Sequence, residues 1–398
     1  MSPDGTPETI GQRVARKRKQ RGLTQHGLAQ RTSYSRSHIA QVEAGHKVAT
    51  PAFVVAVAAA LRVDASELYG QPFRFEGHDD DVHTVIPELR RILAYVDIGP
   101  ELAGQPRGLD VLAAEVATAR RLLLQARLTD VGARLPAVLE ELTFHAYETD
   151  DPKVWGLLSR AHYAAVSLAR RLGYSGDALA LLDRAADAAR RSQDPHLPLL
   201  VTLPRTLLLM NMGQNRPALT LLDRAAASVQ DDRPDAAEVA GALRLRSAVI
   251  AARSARSQGD RTRAWDYFGD AAERVNGRLN APVHDLQFTA ANVAVHGAAV
   301  AVELGDLDEA ARRDHEITDR TLSELPPERR AHHEIDMSRV HVETGSYDKA
   351  LDRLLSAERT APQMTHFHPS AQAVARHLGD VRRTLPEPLR GLLNRMHA

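Results

Sequence analysis

The chain has 398 residues, no cysteine, and 51 basic and 51 acidic side chains. This length exceeds what one hydrophobic core usually supports, so we expect at least two domains. The lack of cysteine excludes disulfide frameworks, Fe–S clusters and thiolate zinc sites, and it fits a reducing cytoplasm. No apolar run has membrane-spanning length and no signal-peptide pattern is present, so we expect a cytoplasmic protein without a membrane partner.

The charges are unevenly distributed. Residues 1–70 contain ten Lys and Arg but only five Asp and Glu, whereas the rest of the chain has an excess of five negative charges. A small basic region joined to a mildly acidic one is typical of a DNA-binding domain followed by a domain that does not bind DNA.

The first predicted helix covers residues 8–21, with Ile10 and Val14 on its inner face. Its basic end, ARKRKQR at residues 15–21, is typical of a solvated helix surface. Beside a DNA-binding motif, the same run would add phosphate contacts.

Two short helices follow between Leu23 and Gly45, joined by a polar turn. Thr24 and Ser35 have the side chains of N-caps, and Gly45 is typical of a helix end. This spacing predicts a helix-turn-helix, whose second helix has the size of a DNA major groove. The alternative is an ordinary helix hairpin with a solvated polar face. The second helix presents donor-rich side chains on its outer side: Arg36, Ser37, His38 and Gln41.

The run from Ile10 to Tyr69 resembles the phage-repressor (Cro-like, XRE-type) helix-turn-helix domain. The residues that carry the resemblance are Gly11, Val14, Arg18, Gly22, Leu23, Thr24, Gln25, Leu28, Ala29, Ser35, Arg36, Ser37, Ile39, Val42, Glu43, Gly45, Pro51, Leu61 and Leu68. Ser33 and Gly27 depart from the family pattern. The resemblance implies five helices, a partly buried ion pair between Arg18 and Glu43, and DNA contacts from α-helical and loop positions. The predicted DNA-binding residues are Gln25, Ser35, Arg36, Ser37, His38, Gln41 and Lys47.

Further helices are predicted at residues 50–61 and 64–69. We expect the DNA-binding domain to cover residues 1–70, a linker to cover 71–82, and a second domain to cover 83–398, because residues 70–81 (GQPFRFEGHDDD) combine Gly, Pro and an acidic run. Nothing after residue 83 resembles a strand, so the predicted fold class is all-α.

The second region repeats itself. A Gly followed five residues later by Ala recurs at intervals of 40 to 46 residues, at Gly132/Ala137, Gly173/Ala178, Gly213/Ala218, Gly259/Ala264, Gly305/Ala310 and Gly345/Ala350. Another Ala follows seven residues later in four of the six. A Gly can end a helix in a left-handed conformation, and an Ala allows two helices to cross closely. The sequence therefore predicts stacked helix pairs that form a superhelix with a concave face.

These units resemble tetratricopeptide repeats, although their period is longer than 34 residues and the aromatic signature is incomplete. A generic armadillo-like helical repeat is the alternative. Together, the two regions resemble the peptide-sensing transcription regulators of Gram-positive bacteria, in which the repeat domain dimerises and its concave face binds an effector.

The repeat register predicts which side chains face an effector. Arg and Asn predominate along this line, which indicates an anionic ligand, either a short peptide or a small molecule. The alternative is a solvated helix face. The candidates are Arg160, Tyr163, Ser167, Arg170, Asn211, Arg246, Arg253, Asn292 and Arg339, with Arg171, Arg256, Glu303, His332 and Glu343 on the same line.

The sequence thus predicts a sequence-specific transcription regulator that binds double-stranded operator DNA, and the resemblance implies that it is a homodimer. The alternative from another class is an interaction scaffold, in which the repeats bind a protein partner and the first domain tethers the assembly to DNA. We found no motif for a metal, a cofactor or catalysis, so an enzyme is not expected.

Overall fold

All regular elements of the described chain are helices, which confirms the predicted all-α fold class. The computed structural model describes residues 8–73, 77–95, 98–275, 284 and 286–396. The helices are α1 (Ile10–Gln20), α2 (Gln25–Ala29), α3 (Arg36–Glu43), α4 (Pro51–Leu61), α5 (Ala65–Tyr69), α6 (Val85–Leu93), α7 (Leu109–Leu124), α8 (Leu128–Thr149), α9 (Pro152–Arg171), α10 (Ser175–Arg191), α11 (Leu197–Asn211), α12 (Asn215–Ala227), α13 (Ala236–Ser254), α14 (Gln258–Val275), α15 (Ala290–Leu304), α16 (Leu307–Glu316), α17 (Asp319–Ser323), α18 (Pro327–Glu343), α19 (Tyr347–Thr360), α20 (Pro362–Phe367), α21 (Pro369–Asp380) and α22 (Glu387–Met396), with a 3₁₀ helix at Gly77–Thr84.

Helices α1 to α5 form a small unit with its own core, which we call the head. Its centre contains the fully buried side chains of Val14, Leu28, Ile39 and Phe53. The helix starts follow from side-chain capping: the Thr24 hydroxyl accepts a hydrogen bond from the Gly27 amide at 2.9 Å, and Ser35 does the same for α3. The head therefore has the five helices that the resemblance implied.

The helices from α6 onward form the body, in which successive helices pack as hairpins. The turns after α9, α11, α15 and α18 contain Gly173, Gly213, Gly305 and Gly345, which all have positive φ. Five residues after each lies an Ala that is 0% exposed, at Ala178, Ala218, Ala310 and Ala350. A larger side chain at these positions would push the paired helices apart. The body is therefore a helical-repeat-like array.

Two glycines of the predicted repeat do not end helices. Gly132 lies inside α8 and Gly259 lies in the first turn of α14. The preceding turn is made instead by Ala126, which has a φ of 57°. The Ala five residues after Gly132, Ala137, is accordingly exposed on α8. The spacing was misleading at Gly132, because a helical segment can contain the same pair by chance. At Gly259 only the turn was misplaced, since Ala264, five residues later, is 0% exposed as the spacing predicted.

The predicted linker contributes to the body. Phe73 and Val82 are buried in the cluster formed by α6 to α11, while residues 74–76 lie outside the described residues. Within the described residues, no helix combines the length and the apolarity needed to cross a lipid bilayer.

Candidate functional site: nucleic-acid face and cavity

One face of α3 is exposed at the surface of the head. Arg36, Ser37 and Gln41 are exposed, while Ile39 and Val42 on the opposite side of the same helix are buried. Arg31, in the turn before α3, is also exposed, although it was not among the predicted contacts. The exposed side chains offer guanidinium, hydroxyl and amide groups of the kinds that bind phosphates and base edges.

Three predicted DNA contacts are placed differently. The His38 ring is half-buried, with its centroid 5.3 Å from that of Phe53, so it does not extend outward as predicted. An aromatic partner attracts this ring inward, which the helical pattern alone does not reveal. The Gln25 amide donates to Glu43 at 2.9 Å, and Lys47 forms an ion pair at 3.7 Å with Glu343 of the body.

Glu43 and Arg18 join α3 to α1 through a paired contact. Arg18 donates to the two carboxylate oxygens of Glu43 at 2.7 and 2.8 Å, and to the Leu23 carbonyl at 2.8 Å. Burial alone would raise the pKa of Glu43, but the hydrogen bonds from Arg18 and Gln25 hold this pKa below its usual value. The pair therefore fixes the orientation of the exposed helix relative to α1.

A cavity of about 340 Å³ is lined mainly by helices of the body. Its wall includes eight of the nine predicted effector residues: Tyr163, Ser167, Arg170, Asn211, Arg246, Arg253, Asn292 and Arg339. The ninth, Arg160, lies outside the wall, where its guanidinium is 4.0 Å from Asp194. The repeat register thus brings residues from five helices to one cavity, and their role in binding remains a prediction.

One end of the cavity has as many acids as bases. Arg253 donates to both oxygens of Glu303 at 2.7 and 2.9 Å, and Arg339 contacts Glu303 at 3.1 Å and Asp336 at 3.0 Å. Burial opposes the ionisation of Glu303, but the two guanidinium groups lower its pKa to about 2. We call these four residues the paired end of the cavity.

The other end has an excess of positive charge. Glu328 forms ion pairs with Arg171 at 2.9 Å and with Arg329 at 3.4 Å. Among the described residues, no carboxylate lies within 4.0 Å of the guanidinium group of Arg170 or of Arg246. Burial and neighbouring guanidinium groups lower the pKa of both arginines to about 10, so they stay charged at neutral pH. These five residues form the cationic end of the cavity, with three positive charges in excess.

Three histidines on the cavity wall are neutral at neutral pH. Burial, supplemented by nearby arginines, lowers the pKa of His296 to about 3, of His332 to about 4 and of His368 to about 3. We call them the cavity histidines. They add hydrogen-bonding groups to the wall without adding charge.

Asn292 contributes an unpaired acceptor to the wall. Its side-chain nitrogen donates to the Gln287 carbonyl at 2.8 Å, which fixes the orientation of the amide. Its Oδ1 is buried and accepts no hydrogen bond from the described residues, and the residue is 3% exposed. Apolar side chains cover much of the remaining wall, including Leu203, Leu207, Leu245, Val249 and Phe288.

A second cluster of polar residues, outside the cavity, has the composition of a metal site. His196, Asp235 and His284 place three ligand-type atoms within 4.8 Å of one another. The Gln230 amide donates to His196 Nε2 at 2.9 Å, so His196 Nδ1 must carry the proton that it donates to Asp235 at 2.8 Å. His284 Nε2 also donates to Asp235 at 2.8 Å. Because His196 Nδ1 and His284 Nε2 both carry a hydrogen and donate it to Asp235, the cluster fits a hydrogen-bond network that joins chain segments better than it fits a metal site.

The comparisons with known proteins concern mainly the head. Residues 9–68 match the family described as "Helix-turn-helix domain". The comparison with curated proteins found no significant match. Among solved structures, the chain is similar to the crystal structure of Bacillus thuringiensis PlcR in complex with the peptide PapR7 and DNA, at 13% sequence identity and a TM-score of 0.35. That alignment covers 78% of this chain and 95% of that chain, but such a TM-score carries no argument about ligands.

The helix-turn-helix domain contributes to the wall of the cavity. Its residues Pro51, Asp64, Ser66 and Tyr69, with Gln71, form part of the cavity wall. A second contact lies at α21, where Arg376 donates to the Glu8 carbonyl at 3.1 Å. The cavity therefore lies between the body and the helix-turn-helix domain, and it is partly open to solvent.

Proposed function

We propose that this protein is a sequence-specific, homodimeric transcription regulator. In this proposal residues 1–70 bind operator DNA, residues 71–82 connect the domains, and residues 83–398 dimerise and bind a peptide or small anionic effector in a tetratricopeptide-like array. The observation that carries the proposal is the exposed polar face of α3 within a matched helix-turn-helix domain. The basic charge of the first 70 residues supports it.

The size of the cavity supports effector sensing over a scaffold that binds a protein partner. Its volume of about 340 Å³ lies at the lower end of the range for small-molecule sites, about 300–1,000 Å³. A folded protein partner would need a larger free surface, and residues of the helix-turn-helix domain occupy part of the wall. A short peptide or a small anion would fit the space.

Selection from random duplex DNA, followed by affinity measurements at fixed salt, tests DNA recognition. Arg36→Ala should cost about 1–3 kcal/mol on the selected site and less on random DNA if Arg36 contacts a base. The control is Arg190→Ala, because Arg190 lies on the exposed surface of α10. A protein with no preference among duplexes would contradict the proposal, and an equal loss on both DNAs would assign Arg36 to a phosphate.

A selected site with two half-sites about one or more helical turns apart would support the dimer. Sedimentation of the free protein provides an independent measurement. A single half-site together with a monomeric mass would contradict homodimerisation while leaving DNA recognition intact.

A further inference from the structure

The cationic end of the cavity lacks acids to neutralise it. Arg170, Arg171, Arg246 and Arg329 face one carboxylate, Glu328, whereas the paired end has two arginines and two acids. Buried charges are usually paired, because removing an ion from water is unfavourable unless an opposite charge compensates. The local excess of three positive charges therefore indicates that this end is built to receive an anion.

The excess of three positive charges indicates how much negative charge the anion carries. A carboxylate carries one negative charge, whereas a phosphate monoester carries about 1.5 to 2 at pH 7 and offers three acceptor oxygens. Guanidinium groups bind both classes through two parallel hydrogen bonds. Arg170 and Arg246 have no carboxylate within 4.0 Å among the described residues, so two guanidinium groups remain for the ligand. A phosphate or diphosphate matches two or three unneutralised cations better than a single carboxylate does.

The other residues of the cavity wall indicate the chemical character of the rest of the ligand. Leu245 and Val249 flank Arg246 on α13, and Leu203, Leu207 and Phe288 extend the apolar surface. The buried Oδ1 of Asn292 needs a hydrogen-bond donor, which a ligand hydroxyl or N–H would supply. The volume of about 340 Å³ limits the apolar part to a small group.

We propose that the cavity binds a small molecule in which a phosphate or diphosphate ester is attached to an apolar body, with its phosphate between Arg170 and Arg246. This inference rests on the proposed function, because it takes the cavity to be the effector site. It replaces the broader class of anionic effectors with one chemical group.

The test uses titration calorimetry of the full-length protein with three probes that share one alkyl chain. Octyl phosphate carries more than one charge at pH 7.5, octyl sulfate has a similar tetrahedral head with one charge, and octanoate is a planar carboxylate. We expect octyl phosphate to bind at least tenfold more tightly than either of the others. This comparison needs no variant, so it does not depend on whether a substituted protein folds.

Substitution then locates the site. Arg246→Gln and Arg170→Gln should each weaken octyl phosphate binding at least tenfold, while the surface control Arg190→Gln should not change it. Thermal melting of each variant verifies folding. Unchanged affinity in both cavity variants would overturn the assignment.

The remaining outcomes separate this inference from the proposed function. Equal binding of octyl sulfate, or tighter binding of octanoate or a peptide carboxylate, would overturn the phosphate assignment and leave an effector cavity in place. If none of the anions binds at millimolar concentration, the phosphate inference is wrong. The DNA selection experiment decides the regulatory function independently.

Discussion

Replacing Glu43 by Gln should destabilise the helix-turn-helix domain by about 3 kcal/mol. The substitution leaves the Arg18 guanidinium without its counter-charge at a site where the two side chains are 9% and 7% exposed. Breaking a buried ion pair costs about 3–5 kcal/mol, and the lower value applies because Gln keeps one acceptor oxygen for Arg18. The loss is large relative to the total stability of a domain of about 60 residues.

Hydrogen exchange of the α1 and α3 amides in the full-length protein measures this effect. A loss of about 3 kcal/mol should accelerate exchange through local opening roughly a hundredfold. The matched control is Glu67→Gln in the same domain, because Glu67 pairs with Lys17 at the surface, where such pairs contribute about 0–1 kcal/mol. If the two variants exchange at the same rates, the buried pair does not have the role that its geometry indicates.

Three further outcomes follow from the cavity and its surroundings. Gly241→Ala should destabilise the protein by about 1–3 kcal/mol, because the added Cβ would lie 2.1 Å from the Phe288 ring. The control Gly269→Ala, which adds a Cβ in open space on α14, should be neutral or stabilising. Urea unfolding that ranks the two variants in the opposite order would refute this packing. The three cavity histidines have pKa values below the unfolded-state value of about 6.5, so below that pH the unfolded state binds more protons than the folded state. The free energy of unfolding should therefore fall as the pH drops from 6.5 toward 4, by up to about 4 kcal/mol per pH unit. An unfolding free energy that stays constant between pH 6.5 and 5 would contradict this. Arg253→Gln should lower the melting temperature of the ligand-free protein, because it breaks the buried ion pair with Glu303. Arg246→Gln should leave the melting temperature unchanged or raise it, because it removes repulsion between arginines. An equal decrease in melting temperature for both variants would contradict the charge distribution described for the cavity.

Local signals predicted much of the fold. Thr24 and Ser35 mark the starts of α2 and α3 because their hydroxyls accept hydrogen bonds from amides three residues ahead, which is a short-range interaction. The repeat turns were predictable for a similar reason, since Gly173 and Gly213 adopt the left-handed conformation that favours glycine. Counting back from the five repeated glycines between Gly173 and Gly345 placed eight candidate residues on one cavity wall.

Features that depend on long-range contacts were not predictable. His38 turns toward Phe53, fifteen positions later, and nothing in the helical period of α3 indicates that partner. The ion pair between Arg253 and Glu303 joins two helices that are separated by a full repeat. The sequence therefore did not predict which arginines form ion pairs, and only the three-dimensional structure distinguishes them.

The position of the helix-turn-helix domain over the cavity was also beyond the sequence. The contact between Arg376 and the Glu8 carbonyl joins positions 368 residues apart, and both sides of it are ordinary surface sequence. Docking of this kind depends on complementary shape between two folded units, which composition and periodicity do not encode.

Because Tyr69 and Gln71 belong to the same wall as the arginines, the affinity of the cavity for any occupant depends on where the DNA-binding unit sits. If the helix-turn-helix domain binds DNA as proposed, thermodynamic reciprocity applies: the factor by which an occupant changes the dissociation constant for DNA equals the factor by which DNA changes the occupant's own. Measuring the occupant's affinity with and without a DNA duplex would therefore show whether the two binding events favour or oppose each other.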